Sequence, residues 1–568
     1  MQLVKDLRTR LRRRTRRLAL SRAEESGRIA PQAVGVSSSG STAASLIVGA
    51  LLGLAILAAP ADAEETLRVG TVTVVTDDVY TAEEVGSGRA YGVVNSLHIK
   101  TRESVVRRLL LFREGDVFVE SRLAESERNL RALGFIRAAT VTASEPHDGM
   151  VDITVVTQDS WSTEPGGSVG SAGGGTDASL ELRETNFLGL GKEMSIAYDT
   201  DPDRSGFSFR YEDPVAFGRY WRGELVYADN SDGSRARVLV DRPFFSFSTP
   251  WSVRALADDE TLESRIYGDA AVVSEFSESR RTLAFGFGRG LAANDARAHR
   301  MMLGCELERR EFAPLIDGFT TTLPADREFR YVVVGYEYAQ NQFRKLNFVD
   351  RDMRFEDYRV GTKFNLRAGI SPSLFGVDDT SGILGASVSR GFAITPDSLL
   401  LGALSWESRV GAANRNEILG LDLRYIRRTE STHPHALVGR ISARSGNELD
   451  EEKQFFADGD TGLRGYRLHA FSGDSSLLIN LEERIFLGRE LWQVVSPGLA
   501  VFVDAGNAAN GSDAFDPRDL HVDAGVGLRI GASRSPRSIF RLDFAWAFNP
   551  DPLGRDGLLI SFSGSQAF

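Results

Sequence analysis

The chain of 568 residues has a single cysteine, Cys305. One cysteine excludes an internal disulfide framework, and it also excludes a metal site built from several thiolates. The seven histidines are scattered, and the one close pair, His433 and His435, has no acidic or cysteine partner at a spacing that ligates metal. The sequence therefore predicts no metal site, and nothing in it indicates a cofactor.

Long hydrophobic runs are also missing, apart from one stretch near the N-terminus. Residues 8–17 read RTRLRRRTRR, residues 43–59 are apolar, and the small residues PADA follow at 60–63. This order is typical of a signal peptide, so we expect residues 1–63 to be one, with cleavage after Ala63. A membrane anchor is the alternative, but the apolar run is short for a span and no basic stop follows it.

In the remainder of the chain, acidic residues outnumber basic ones. Residues 1–63 hold ten basic and four acidic residues, so the net charge falls from −11 with them to −17 without them. Nucleic-acid binding needs a basic footprint, so nucleic acid is excluded as a partner. Residues 166–170 (GGSVG) match a hydrolase nucleophile motif, but no helix follows, and a linker or first strand is the better interpretation. No catalytic set is found, and we expect the protein not to be an enzyme.

Residues 64–160 predict a small α+β domain. An irregular polar stretch reaches to about Leu97, and Thr101 is the expected N-cap of the helix that follows it. Two amphipathic helices on one face of a three-stranded sheet make a viable domain of this size. The predicted elements are a strand at 67–75, helices within 101–112 and 120–133, and strands at 138–143 and 150–157.

The rest of the chain shows strand patterns and no convincing amphipathic helix. Residues 161–179 are rich in Gly and Ser and predict a linker or a first strand. From 180 to 568, segments alternate between apolar and polar positions, as in a barrel with lipid outside and water inside. An open sheet would leave backbone N–H and C=O groups unpaired in hydrocarbon, so the sheet must close. The predicted fold is mainly β: a transmembrane antiparallel β-barrel of about 16 strands after one α+β domain.

In this arrangement the chain resembles the BamA/TamA-like outer-membrane assembly family, in which POTRA (polypeptide-transport-associated) domains precede a barrel of the bacterial surface antigen type. The resemblance covers about residues 65–568, and it implies that 64–160 is a periplasmic POTRA domain and 180–568 the barrel. The motifs that carry it are RRLLLFREGDVF (107–118), ESERNLRALGFIRAATVT (125–142), ELRETNFLGLGKEMSIAYD (181–199), LRGY (463–466), INLEERIFL (479–487) and VFVDAG (501–506).

The resemblance implies that Arg464, Gly465 and Tyr466 lie at the tip of a long loop that folds back into the barrel. Alternation places Glu482 and Asp504 on the inner face of wall strands, where both carboxylates point toward this loop. A confined arginine is tolerated only when it is paired, and its planar fork suits two carboxylates. Gly465 lets the backbone pass close to the wall. We therefore expect Arg464 to act as a latch in the lumen; the alternative is a solvated surface loop.

The alternation of side chains along a strand also predicts which face other residues of these motifs occupy. Phe502 and Gly506 face inward on the strand that carries Asp504. Phe562 and Phe568 lie on the outward face of the last strand, where the resemblance implies a C-terminal targeting signal. Glu483 departs from the family pattern, because the pleat turns it toward lipid where the family usually has an aromatic residue.

The resemblance implies a factor that inserts or translocates other polypeptides in the outer membrane of a Gram-negative bacterium. The first strand (near 180–186) and the last (near 557–568) would form a seam that opens sideways. The POTRA domain would bind extended clients by adding a strand to its sheet. The implied partners are client outer-membrane or secreted polypeptides, outer-membrane lipid, and periplasmic chaperones or accessory assembly proteins. Two alternatives stay open: a dedicated two-partner-type secretion pore, and a passive porin or structural barrel.

Overall fold

The fold is seen in a computed structural model. The residues that it describes are 67–568 except 88, 173–174, 202, 295, 316–322, 352–353, 412–414, 489–490, 492–494, 533, 536–538 and 565–568. The predicted signal peptide (residues 1–63) and Phe568 lie outside the described residues. No helix in the described part of the chain is both long enough and apolar enough to cross a membrane.

The described chain begins with a domain of helices packed on a small sheet. Within residues 67–160, three strands are ordered β1-β3-β2, with β1 parallel and β2 antiparallel to the central strand. Buried apolar residues such as Val105, Leu130 and Ile153 form the core between the helices and the sheet. The elements are β1 (Arg68–Asp77), α1 (Ala82–Ser87), α2 (Arg89–Leu97), α3 (Glu103–Leu109), α4 (Glu120–Arg131), β2 (Ile136–Ala143) and β3 (Met150–Asp159).

The strands and both predicted helices of this domain are present, but two expectations were wrong. The stretch expected to be irregular holds α1 and α2, whose short length gives little periodic signal; a contact of the Tyr80 and Tyr91 rings, 4.3 Å between centroids, packs α2 in place. Thr101 does not cap α3, because its backbone N–H donates to Asp159 (2.7 Å) and its hydroxyl accepts from Asn186 (2.9 Å). Thr101 thus ties the helices to the sheet and to the barrel.

After β3, twenty antiparallel strands of the described chain close into one barrel in sequence order, and two extra hairpins lie in its connections. The hairpins are β14 (Phe343–Leu346) with β15 (Glu356–Arg359), and β21 (Phe455–Ala457) with β22 (Phe471–Gly473). The barrel strands are β4 (Thr163–Ala172), β5 (Gly175–Glu184), β6 (Glu193–Thr200), β7 (Ser205–Asp213), β8 (Arg222–Asn230), β9 (Gly233–Arg242), β10 (Trp251–Gly268), β11 (Ala271–Ala293), β12 (Arg297–Pro314), β13 (Arg327–Gln340), β16 (Lys363–Ser371), β17 (Ser381–Thr395), β18 (Ser398–Val410), β19 (Arg415–Thr429), β20 (His435–Asn447), β23 (Ser475–Phe486), β24 (Val495–Ala509), β25 (His521–Ala532), β26 (Ile539–Ala547) and β27 (Gly557–Ser563).

The barrel was correctly predicted, but its size was not: the described residues form twenty strands rather than about 16. The expectation allowed for long connections, whereas many connections are short. Only residues 231–232 separate β8 from β9, and only 396–397 separate β17 from β18. Strand length also varies widely, from 7 residues in β27 and 8 in β6 to 23 in β11. The wall is therefore short near β27 and tall around β11.

Closure is made by β27 and β4, and this corrects the expected first strand. The two strands pair through Ile560 with Ser171, Ser561 with Gly170, and Phe562 with Val169. Residues 180–186 were expected to begin the barrel, but 180–184 belong to β5, which pairs with β4 on one side and β6 on the other. The Gly- and Ser-rich stretch thus supplies the first strand. Its small residues do not alternate clearly between apolar and polar, so the sequence alone could not decide whether this stretch is a linker or a strand.

Side chains alternate between the two faces of the barrel as predicted. On β24, Val501 is 51% exposed on the outer face, whereas Phe502 and Asp504 are buried on the inner face. Leu481 and Glu482 show the same alternation on β23. The outer face is largely apolar, and the inner face carries ion pairs between neighbouring strands. The barrel therefore has the apolar exterior and ionic interior that a membrane barrel requires.

The N-terminal domain is docked on one mouth of the barrel. The backbone N–H of Phe247 donates to Glu125 of α4 (2.9 Å), and the hydroxyl of Tyr220 donates to the carbonyl of Leu110 (2.6 Å). Both barrel residues lie in turns of the same mouth. Residues 341–362, here called the rim segment, also belong to this mouth. Residues 448–474, here called the inner loop, connect β20 to β23 from the opposite end.

Candidate functional site

The inner loop places Arg464 inside the barrel, between the two carboxylates that the sequence singled out. Arg464 is only 2% exposed. Its Nε and Nη2 donate to the two oxygens of Asp504 at 2.7 and 3.0 Å, and its Nη1 donates to Glu482. The guanidinium therefore binds one carboxylate side-on and a second one through its remaining edge. These three residues are called the Arg464 cluster below.

The loop is held in this shape by its own acidic start. The carboxylate of Asp458 accepts hydrogen bonds from the backbone N–H groups of Thr461 (3.0 Å) and His469 (2.8 Å). The first bond closes a tight turn before Arg464, and the second joins the two ends of the segment that carries Arg464. The acidic, Gly-rich stretch at 458–462 is thus a turn closed by the side chain of Asp458. These hydrogen bonds account for the carboxylate without a bound metal ion.

The residues beside Arg464 fit the loop against the wall. A Cβ on Gly465 would lie 2.6 Å from the Cβ of Asp523 on β25, so only glycine allows this approach. The hydroxyl of Tyr466 donates to the carbonyls of Val522 and Asn549, at 3.2 and 3.1 Å. The loop tip therefore contacts the wall at β25 and just beyond β26.

Phe502 and Gly506 of β24 also contact Arg464 and the residues of its loop. The guanidinium carbon of Arg464 lies 3.4 Å from the centroid of the Phe502 ring, so the cation also stacks on an aromatic face. A Cβ on Gly506 would lie 2.6 Å from the carbonyl of Leu477 and 3.4 Å from the side chain of Leu463. The small residue makes room for the loop leucine next to Arg464.

The structure adds wall residues that were not assigned to the site from the sequence. Arg529 on β25 donates to Glu482 at 3.2 Å and to Asp543 on β26 at 2.5 Å. The amide of Asn480 donates to Asp504 (2.8 Å) and to the carbonyl of Gly462 (2.7 Å). Asn480 shares the inner face of β23 with Glu482, whereas pairing across β25 and β26 depends on strand register, which local sequence does not reveal.

A further group of charged residues extends from the Arg464 cluster to the other mouth of the barrel. Arg484 donates to Glu482 and to Asp350 of the rim segment, both at 2.7 Å. Arg424 also donates to Asp350. Because Glu482 contacts both Arg464 and Arg484, charged groups form an unbroken chain from the inner loop to the rim segment.

The rim segment in turn holds the N-terminal domain. Arg131 of α4 donates to both oxygens of Asp357, at 3.0 and 2.9 Å. Arg354 donates to the backbone carbonyls of Arg131 (2.5 Å) and Leu133 (3.1 Å). The two ends of the barrel are thus connected by side chains that sit in its lumen and mouth. Nothing in the sequence placed residues 341–362 at this position.

The remaining predicted residues lie away from the cluster. Glu483 faces outward and is hydrogen-bonded to the ring of His435 on β20, which supplies the partner that an outward carboxylate needs. Phe562 pairs with Val169 at the barrel closure and stacks on Phe540, with 5.6 Å between ring centroids. The predicted targeting role of Phe562 and Phe568 stays a prediction, and Phe568 lies outside the described residues.

The chemistry of the Arg464 cluster is attachment. Burial lowers the pKa of Arg464, but the hydrogen bonds and charge of Asp504, with the charge of Glu482, outweigh it and raise the pKa above its usual value. Removing one partner of a buried ion pair costs about 3–5 kcal/mol, because the other charge is left without compensation. In the described residues no group of His, Cys, Asp and Glu is arranged to hold a metal ion. The cluster can therefore pin a loop with considerable strength.

Reversing one charge should release the loop. Asp504→Arg puts a second cation against Arg464, so we expect loss of several kcal/mol of stability and a protein that folds poorly or is inactive. Adding Arg464→Asp restores one opposite-charge pair and should partly recover folding, measured by heat-dependent migration in gels and by protease resistance of residues 448–474. Asp513→Arg, in an exposed connection, is the control. Wild-type behaviour of both single variants would show that the cluster does not hold the loop.

Loss of the shared charge at Asp350 should loosen both mouths. Asp350→Asn leaves Arg484 and Arg424 without their common carboxylate, so hydrogen exchange should accelerate in residues 343–359 and also in the inner loop, by about ten-fold or more. Hydrogen exchange measured by mass spectrometry checks this, with Asp379→Asn in an exposed turn as the control. Faster exchange in the rim segment alone would contradict coupling between the two ends.

Comparison with known proteins adds the family. Residues 422–568 match the Omp85 superfamily domain, and residues 93–158 match the POTRA family, described as a surface antigen variable number repeat. CdiB from Acinetobacter baumannii is 12% identical over 88% of this chain and 74% of its own, with a TM-score of 0.45. CdiB from Escherichia coli is 13% identical over 87% and 75%, with a TM-score of 0.43. BamA from Haemophilus ducreyi lacking POTRA domains 1–3 is 13% identical over 87% and 84%, with a TM-score of 0.35. No curated protein matches this chain.

The two family matches fall on the two parts of the molecule described above. The POTRA match runs from α2 into β3, and the Omp85 match begins in β19 and contains every residue of the Arg464 cluster. This order of domains is the one that the resemblance to BamA/TamA-like proteins predicted. Residues 422–568 therefore carry an Omp85 superfamily domain, and residues 93–158 carry a POTRA domain that precedes it.

Proposed function

We propose that this protein is an outer-membrane assembly factor, whose barrel spans the outer membrane and whose POTRA domain lies in the periplasm. It inserts client polypeptides by opening the seam between β27 and β4. The observation that carries this proposal is the length of that pairing. In the described residues β27 and β4 share three paired positions, whereas β27 shares seven with β26, and β4 shares ten with β5. Among the described residues this is the shortest pairing between neighbouring strands of the barrel.

The energy for insertion comes from the client. Strand edges in hydrocarbon leave backbone N–H and C=O groups unpaired, which is costly, so an opened seam is a template for an incoming strand. A client strand that pairs there gains backbone hydrogen bonds, and it gains burial of its apolar face in lipid. No nucleotide is required for this process.

We further propose that the Arg464 cluster is a latch that stiffens one side of the seam. The inner loop is fixed to β23 and β24 through Glu482 and Asp504, and Tyr466 extends the contact to β25 and the residues after β26. These strands lead directly to β27. With that wall held rigid, separation is concentrated at the β27–β4 junction instead of being spread over several strand pairs.

The POTRA sheet offers a second place where a client can bind. The start of β1 is already covered, since Val69 donates to the carbonyl of Asp116 (2.9 Å) and Phe118 donates to the carbonyl of Leu67 (2.9 Å). On the other edge, the second half of β2 is exposed, and the N–H of Val141 has only a 3.4 Å contact from Glu127. This supports β2 as the edge to which an extended client adds a strand.

A secretion pore is the principal alternative within the superfamily. In the described residues the inner loop enters the lumen and is fixed there by Arg464, and a cavity of about 610 Å³ lies between the wall and loop residues such as Asp450 and Lys453. A chain passing through the barrel would have to displace the inner loop and break the Arg464 cluster. Lateral insertion leaves the cluster intact, which favours assembly over secretion.

Locking the seam should stop insertion. In a Cys305→Ser background, the pair Val169→Cys and Phe562→Cys places two thiols at directly opposed positions, and oxidation should join the two strands. Purified protein in liposomes should speed the insertion of an unfolded outer-membrane barrel. The oxidised variant should lose this activity, and the reduced variant should keep it.

The control is a disulfide between two strands that the proposed mechanism does not require to separate. Phe544→Cys with Ile560→Cys joins β26 to β27, also on the outer face, and should leave insertion unchanged when oxidised. Full activity of the oxidised β27–β4 lock would reject the proposed mechanism. Depletion in cells separates the alternatives: loss of many outer-membrane barrels supports assembly, loss of one secreted protein indicates secretion, and a changed solute profile indicates a porin.

Blocking the edge of β2 should weaken client binding. Val141→Pro removes the outward N–H and disfavours a strand added at that edge, while an edge position tolerates proline. Photo-crosslinking to an unfolded client should fall about ten-fold or more, on the scale of lost strand hydrogen bonds. Val141→Ala keeps the N–H and should crosslink normally. If both variants crosslink as the wild type does, the client binds elsewhere.

A further inference from the structure

Residues 78–102, here called the strap, join β1 to α3 and contain α1 and α2. At its beginning, Glu84 forms an ion pair with Arg534, whose guanidinium also lies 4.6 Å from the centre of the Tyr80 ring. At its end, the N–H of Arg102 donates to the carbonyl of Gly189 at 3.0 Å. The strap is thus fixed to the barrel at two places.

The two attachment points lie on opposite sides of the seam. Arg534 lies in the turn between β25 and β26, and Gly189 lies in the turn between β5 and β6. The strands between these turns are β26, β27, β4 and β5, in that order around the barrel. The strap therefore crosses the barrel rim below the junction of β27 and β4. The POTRA match begins only at residue 93, so α1 and the start of α2 precede it.

One face of the strap is apolar and exposed. Val93 is 58% exposed, Leu97 is 69% exposed, and Ile99 is 54% exposed. Val93 and Leu97 are four residues apart on α2 and share one side of the helix. The opposite side holds Tyr91, which packs on Tyr80. Two large apolar side chains on one side of α2 and a third just after its end are more than a water-facing segment of this length needs, and they indicate a contact surface.

This apolar face continues the outer surface of the barrel. Leu180 and Leu182 are exposed on the outer face of β5. The turn after β5 carries Phe187 and Leu188, which are also exposed, and this is the turn that the end of the strap contacts. Leu188 has a φ of 56°, a conformation that leucine rarely adopts. Apolar surface thus runs from the lipid-facing belt, across the rim, to the strap.

The charges around the apolar face are basic. Arg89, Lys100 and Arg102 are exposed, and none of them has a carboxylate partner in the described part of the chain. The acidic residues of the strap, Asp78, Glu83 and Glu84, lie before α2, and Glu84 is paired with Arg534. Basic residues beside an apolar helix face match the phosphate groups and acyl chains of a membrane surface.

We propose that α2 and the residues after it, 89–102, lie in the headgroup layer of the membrane leaflet on the POTRA side, directly beside the seam. Val93, Leu97 and Ile99 enter the acyl-chain boundary, and Arg89, Lys100 and Arg102 contact lipid phosphates. This proposal depends on the proposed function, because it requires the barrel to span a membrane. It assigns lipid, rather than a client or a second copy of the chain, as the occupant of this surface.

Fluorescence quenching in proteoliposomes tests the assignment. Single-cysteine proteins Val93→Cys and Leu97→Cys, in a Cys305→Ser background, are labelled with bimane and placed in vesicles of phosphatidylethanolamine and phosphatidylglycerol. Doxyl-labelled lipid should quench both probes, and iodide should quench them about three-fold less than a probe at Val156→Cys on the exposed face of the POTRA sheet. In the Leu97→Cys protein, adding Arg89→Glu and Lys100→Glu should reduce lipid quenching.

Each other result overturns the proposal. Probes at 93 and 97 that iodide reaches as well as it reaches 156 would show a water-facing surface. Probes shielded from both quenchers would show a protein partner, either a second copy or a client. Unchanged lipid quenching after the two charge reversals would remove the basic residues from the contact. A probe at Val501→Cys, on the outer face of β24, reports the barrel itself. If lipid quenches the probe at 501 but not the probes at 93 and 97, only this proposal fails. If lipid does not quench the probe at 501 either, the barrel does not span the membrane and the proposed function fails as well.

Discussion

The positive charge of Arg464 cannot be buried unless it is paired, and this requirement organises the lumen. Its two carboxylates come from adjacent strands, so the loop is fixed to the wall and not to a single residue. Glu482 is shared with Arg484 and Arg529, which spreads the constraint to β25 and to the rim segment. Because Glu482 pairs with three arginines and Asp504 holds Arg464 through two hydrogen bonds, loss of either carboxylate leaves buried positive charge without its partner.

The same network joins one side of the barrel more extensively than the other. Strands β23 to β26 are joined to each other by ladders and also by the inner loop. At the junction of β27 with β4 three paired positions are described, and the strap crosses the rim beneath it. The POTRA domain is in contact with both regions, through the rim segment on one side and the strap on the other.

Much of this was open to prediction from the sequence, and the failures have physical causes. The pleat fixes which side chains face inward, so Glu482 and Asp504 could be placed opposite an incoming arginine as soon as the loop was recognised. The roles of Asp350 and Asp543 could not be foreseen, because they depend on how distant segments fold into the same lumen. Strand number depends on connection lengths, which patterns of alternation do not define. The first strand, rich in Gly and Ser, has too little contrast between its faces to be separated from a linker.

The uneven height of the wall has a consequence for the lipid around it. An apolar strand crosses a bilayer with about 9–11 residues when tilted. Of the strands at the junction, β4 with 10 residues meets that length and the described part of β27, with 7, falls short of it, while β11 has 23 and rises well past it. A bilayer meeting a short apolar wall becomes thinner locally, at a modest cost in free energy. Lipid packing would therefore be most disturbed beside the junction of β27 and β4, which is where the proposed function has a client strand enter the membrane.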